Sequence, residues 1–124
     1  MSARAAVRAF AQAYINWDAQ TVSADMRGLA ARSVGQARAA AALAAAQTAG
    51  DYELQAGGVA NSGQVEAVAS LPGRPERYVV VTLERTTATA TSAYQGLAPA
   101  WHVTVAEVVD QGGRWVVSGW QPES

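Results

Sequence analysis

The chain has 124 residues, nine basic against ten acidic side chains, a formal charge of −1 and no cysteine. That is one domain's length, enough to bury about two thirds of its unfolded surface around a single core. It excludes disulfides and thiolate sites, a multi-histidine metal centre within one chain, since His102 stands alone, a broadly basic nucleic-acid surface, and, with no apolar run of about 18 residues, a helical membrane span.

Residues 1 to about 49 carry helical periodicity. Val7, Phe10, Tyr14 and Trp17 recur at spacings of three and four and mark one apolar stripe. Arg4, Arg8 and Gln12 form its wetter flank. Asp18 to Thr21 break the pattern. Ser23 is placed to cap a second short helix carrying Val22, Met26 and Leu29 inward, with Asp25 favoured in its first turn by the helix dipole. Ser33 and Gln36 have capping-box spacing and predict the start of a third helix. It runs from Ala37 to Thr48 and stops at Gly50. Its alanine-rich middle has Leu43 as its one bulky side chain, so it can approach another element closely.

From residue 51 the period becomes two. The predicted strands are Val65–Leu71, Tyr78–Thr87, Trp101–Val109 and Trp115–Trp120. Pro72-Gly73 and Asp110–Gly113 are turns. A threonine-rich arm, Thr86 to Thr91, leads into a loop through Tyr94 to Pro99. Helices first and strands after predict an α+β domain over residues 1–124, with helices on one face of an antiparallel sheet of about four strands.

Alternation gives each strand two rows, and the more aliphatic row is expected beneath the helices. That inner row reads Val79, Val81, Leu83, Trp101, Val103, Val105, Trp115 and Val117, with Arg85 and Glu107 continuing it to a rim. Tyr14, Trp17, Leu83, Trp101, Val103 and Trp115 are the candidate lining of any pocket. The opposite row carries Tyr78, Val80, Thr82, His102, Thr104, Val108, Val116, Ser118 and Trp120. It is too apolar for a plainly solvated face. Tyr78, Val80, His102, Val108, Val116 and Trp120 are therefore the candidate interface with a second copy or another subunit. The alternative is cover by the tail from Gln121 to Ser124.

Catalytic signatures are absent. There is no phosphate-binding glycine loop, no H-E-x-x-H and no nucleophile elbow. His102 has the right chemistry for proton transfer, but its row faces away from the helices in this assignment. Asp51 and Glu53 fit a solvated helix exit better than an acid–base pair. Arg74 and Arg77 fit a solvated turn better than an anion site. With no ionisable group on the expected inner face, no catalytic, cofactor-binding or metal-binding residue is assigned.

The layout resembles the nuclear-transport-factor-2-like superfamily. The residues that carry the resemblance are Phe10 to Trp17 at the end of a long first helix, the strand Tyr78 to Thr82, and the tail Trp115 to Gln121. Within that superfamily the chain is most similar to extracytoplasmic domains of conjugal transfer protein C and of the type IV secretion inner-membrane scaffold from actinobacterial conjugative elements. The resemblance implies a cone of helices on a curved sheet. It also implies a non-catalytic scaffold role through protein–protein contacts, as a homo-oligomer or with other transfer-system subunits, and neither cofactor nor nucleic acid. The alternative within the same fold is a small-molecule-binding or catalytic pocket of isomerase, dehydratase or epoxide-hydrolase type. Such scaffold proteins carry a membrane helix ahead of the first helix of the domain. This chain opens on the domain, which leaves an excised extracytoplasmic part and a free-standing cytoplasmic relative both open.

Overall fold

The computed structural model describes residues 1–123. Four helices, α1 (Ala3–Ile15), α2 (Val22–Ala31), α3 (Gly35–Ala49) and α4 (Tyr52–Gly57), pack against a curled antiparallel sheet. Its strands are β1 (Trp17–Asp18), β2 (Val59–Leu71), β3 (Arg74–Ala88), β4 (Ala100–Gln111) and β5 (Arg114–Pro122), ordered β1-β2-β3-β4-β5. The α+β class stands. The sheet gains a fifth strand because the chain leaves the helix at Asn16, whose backbone is extended, and Trp17 then pairs with Asn61. Trp17 thus begins β1 instead of ending the α1 stripe.

Ser2 caps α1 by accepting the Ala5 amide at 3.1 Å. The helix buries Ala6, Val7, Phe10, Ala11 and Ile15. In α3, Ala37, Ala41 and Ala45 lie one turn apart and are all buried, so the small side chains let its backbone come close to α2 and β5. Leu43 points the other way and is 58% exposed.

The caps expected for α2 and α3 are not the ones used. Ser23 lies inside α2 and donates to the Ala45 carbonyl of α3. The α3 cap is Val34, and Ser33 bonds back to the Leu29 carbonyl at 2.9 Å, ending α2. Arg38 completes that stop by donating to the Ala30 and Ser33 carbonyls, a cation against the negative end of a helix. Gln36 reaches β5 instead of capping, and its Oε1 accepts the Trp120 amide at 2.6 Å. Asp51 is the N-cap of α4, accepting the Leu54 amide at 3.0 Å, which accounts for the acidic pair Asp51 and Glu53.

Both two-residue turns occur where expected. Pro72-Gly73 joins β2 to β3, and Gly112-Gly113 joins β4 to β5. The latter pair has φ of +60° and +86°, the left-handed pair that a tight hairpin requires.

The phase of β3 and β4 is opposite to the expected one, while Val117 of β5 lies in the core as expected. Beneath the helices lie Tyr78, Val80, Thr82, Thr104, Ala106, Val108 and Trp120, all buried. The other side carries the row Val79, Val81, Leu83, Trp101, Val103 and Val105, half-buried or exposed. Bulk explains the choice. Phe10 and Tyr14 meet Trp120 at ring-centroid distances of 5.0 and 5.3 Å, and Trp120 pairs across strands with Ala106. Where large aromatic groups come down from α1 and β5, the sheet must offer small side chains, and Ala106, Thr104 and Thr82 supply them. One core results, joining α1, α2 and α3 to β2–β5.

Candidate functional site

The register stacks an apolar surface on the side away from the helices. Ala69, Val79 and Val105 lie side by side across β2, β3 and β4, as do Ala67, Val81 and Val103, while Leu83 lies opposite Trp101. Trp101 is 61% exposed, Val109 is 38% exposed, and Val103 is 36% exposed. Strand spacing and rise give this patch an area of roughly 300 Å², the size of the largest apolar patch on a typical monomer. One end is closed by the Arg77–Glu107 ion pair, and Trp115 and Val109 share a hollow with that pair.

On the helix side is a second feature. A hollow of about 320 Å³ opens between α1, α2, α3 and the sheet, lined by residues that include Tyr14, Trp17, Met26, Asn61, Glu84 and His102. Its polar end is a connected network. Glu84 Oε2 accepts from the Thr82 hydroxyl at 2.6 Å and Oε1 from Asn61 Nδ2 at 3.0 Å. Asn61 also donates to the Ile15 carbonyl at 2.7 Å and accepts from the Thr86 hydroxyl at 2.9 Å. Burial, and then the negative charge of Glu84, push the Tyr14 phenol above its ordinary value. Tyr14 therefore remains a neutral hydroxyl at physiological pH.

The inverted phase redistributes the sequence candidates. Of the expected interface residues, Tyr78, Val80, Val108 and Trp120 are core, at most 8% exposed. His102 is half-buried and lines the helix-side hollow. Val116 is half-buried beside the α2–α3 turn. Of the expected pocket lining, Tyr14 and Trp17 do line the hollow. Leu83, Trp101 and Val103 belong to the open side, because a strand read one residue out of phase exchanges its two faces, while Trp115 stays in the register of buried Val117 at the exposed end of β5. Neither expected rim residue lies at the hollow. Glu107 pairs with Arg77, and exposed Arg85 borders a wide basin formed by the 85–99 arm. Contrary to the expectation from the sequence, the helix side carries ionisable groups: Glu84, Tyr14 and His102 line its hollow. The tail does not fold over a sheet face: Gln121 and Pro122 pair with β4, and the Glu123 amide donates to the Val103 carbonyl at 2.8 Å. Ser124 lies outside the described residues.

Asn61, Thr82 and Glu84 were missed as site residues. A polar residue at every second position of β3, Thr82-x-Glu84-x-Thr86, was the available signal. In a row that also holds Val80 and Tyr78, it marks a buried strand running out into a polar hollow.

Comparison with family models, with curated proteins and with solved structures returns no match for this chain.

Proposed function

We propose that this chain is a non-catalytic assembly domain of the nuclear-transport-factor-2-like type. It serves as a scaffold element of a conjugation or type IV secretion-like transfer system, and it works by face-to-face contact of its open sheet with a second copy or a sister subunit. The observation that carries the reading is the exposed row of Trp101, Val103 and Val109 along β4, on a sheet side that no described helix covers. Leaving that area wet costs about 25 cal/mol per Å², and tryptophan is among the residues enriched at binding hot spots. The patch falls short of the roughly 800 Å² per partner of a standard interface. It is the size of the apolar centre of one, with the Arg77–Glu107 pair in its polar rim.

Sedimentation equilibrium tests self-association. The parent chain is expected to form dimers or larger species in the micromolar range. A Trp101→Glu, Val103→Glu variant is expected to be a folded monomer with an unchanged far-ultraviolet spectrum. A parent chain that is monomeric at high concentration refutes self-association. A variant that associates as well as the parent refutes the face.

A further inference from the structure

The helix-side hollow has its own chemistry, independent of the open face. Its volume, about 320 Å³, is at the lower end of small-molecule sites, whose range begins near 300 Å³. Tyr14, Val22, Met26 and Ala44 from the helices and Trp17 from β1 form its apolar and aromatic wall, with Thr48 of α3 beside them. The sheet contributes the polar end, Asn61, Glu84, Thr86 and His102. Glu84 is the single carboxylate in the lining, and no arginine lines the hollow. Its two hydrogen-bond donors, Thr82 and Asn61, are both neutral. A carboxylate has about four acceptor positions, so Thr82 and Asn61, neither of them charged, leave acceptor capacity for a further donor. Aromatic side chains beside a carboxylate favour a cation twice, once through the ring quadrupole and once through the charge.

We propose that this hollow binds a small amphipathic amine, its ammonium group held at Glu84 and its apolar body between Trp17 and Met26. An anion of the same shape would meet the Glu84 charge with no guanidinium to offset it, so selectivity by charge follows from the same residues. The Tyr14 phenol, raised first by burial and then by the Glu84 charge, stays a neutral hydroxyl in the same lining. Tyr14 adds a neutral hydroxyl beside the ammonium position. The site requires no partner chain and leaves the open sheet face free.

Phenethylamine is the probe and phenylpropionate its anionic counterpart, each titrated calorimetrically and by tryptophan fluorescence. Phenethylamine is expected to bind saturably, and phenylpropionate at least tenfold more weakly. Glu84→Gln keeps an acceptor for Thr82 or Asn61 and removes the charge. It should weaken the amine about tenfold or more, a difference of about 1.4 kcal/mol, with an unchanged thermal midpoint. If that variant fails to fold, Ala44→Leu fills the hollow from α3 and should abolish binding on its own. Equal affinity for the two probes overturns the proposal. So does amine binding that survives a folded Glu84→Gln variant or Ala44→Leu, or the absence of saturable amine binding by the parent chain. Sedimentation of the same samples keeps the result separate from the assembly reading, because amine binding is expected to leave the association state unchanged.

Discussion

Val80 and Val81 are adjacent, chemically identical, and on opposite sides of β3, so shortening each to alanine measures what the helices cover. Val80 is fully buried, at 0% exposure. Val80→Ala removes two methyl groups from the core, about 0.8 kcal/mol each in transfer free energy. The space left is enclosed by α1, β2 and β4, and a residual cavity of some tens of Å³ adds up to about 1 kcal/mol at roughly 24 cal/mol per Å³. The expected loss is about 2–3 kcal/mol. Val81 is half-buried on the open side. There no closed cavity forms and water already touches part of the side chain, so Val81→Ala should cost about 0.5–1 kcal/mol. Urea unfolding followed by tryptophan fluorescence reads both, with the m-value unchanged if only the native state is affected. In thermal melts a chain of this length shifts by about 4 °C per kcal/mol, so the two variants separate clearly. The charged pair sharpens the test: Val80→Glu should leave no cooperative transition, while Val81→Glu remains folded. A greater loss at Val81 than at Val80 would refute the assigned phase, and with it the placement of both the open face and the hollow.

Three further outcomes follow from local geometry. Gly63→Ala would bring a Cβ to 2.6 Å from the Leu83 carbonyl oxygen and 3.0 Å from Glu84 Cγ, so β2 must shift. The expected cost is about 1–3 kcal/mol by denaturant unfolding. Gln36→Ala removes the acceptor of the Trp120 amide. It should cost about 1 kcal/mol and accelerate exchange at that single amide, seen by hydrogen exchange. Tyr14 ionises above its ordinary value of 10.0 in the folded chain, so the unfolded chain loses that proton first. Its contribution to stability is present below about pH 10 and is lost as pH rises through the folded value. Absorbance titration at alkaline pH should show a late phenol that is missing in Tyr14→Phe, and that variant should lose less stability at alkaline pH.

Much of the fold was legible wherever a local signal had no competitor. The α1 stripe through Val7, Phe10 and Tyr14, the stop at Gly50, and the turns at Pro72-Gly73 and Gly112-Gly113 all follow from short-range chemistry, and the structure has them. The phase of β3 and β4 was not legible from hydropathy. Val79, Val81 and Leu83 outscore Tyr78, Val80 and Thr82, yet the buried row is the second. Burial there is decided by volume against α1 and Trp120, a long-range quantity that strand periodicity does not contain. The Ser33–Gln36 pair misled for a related reason. Its spacing suits a cap, but each side chain found a partner elsewhere, Ser33 in the preceding helix and Gln36 on β5. The candidate site inherited the phase error, which moved Glu84 and His102 from the solvent side to the helix side and moved Trp101 and Val103 the other way.

The lateral borders of the sheet have a consequence for stoichiometry. Along β2, the Asn16 amide imitates a further strand residue by exchanging hydrogen bonds with both backbone groups of Gly63, and Arg8 donates to the Val65 carbonyl. A register shift between Val65 and Ala67 bends the same strand. Along β5, the Val34 amide donates to the Val117 carbonyl, and Gln36 accepts from Trp120. Borders occupied by side chains and by a helix start resist the addition of further strands, so edge-on polymerisation into ribbons is disfavoured on both flanks. Contact through the broad side is different. Two copies related by a two-fold axis consume each other's surface and leave nothing for a third. If the open face is the contact surface, association through it closes at a small number of copies, and neither flank of the sheet offers a route to a longer array.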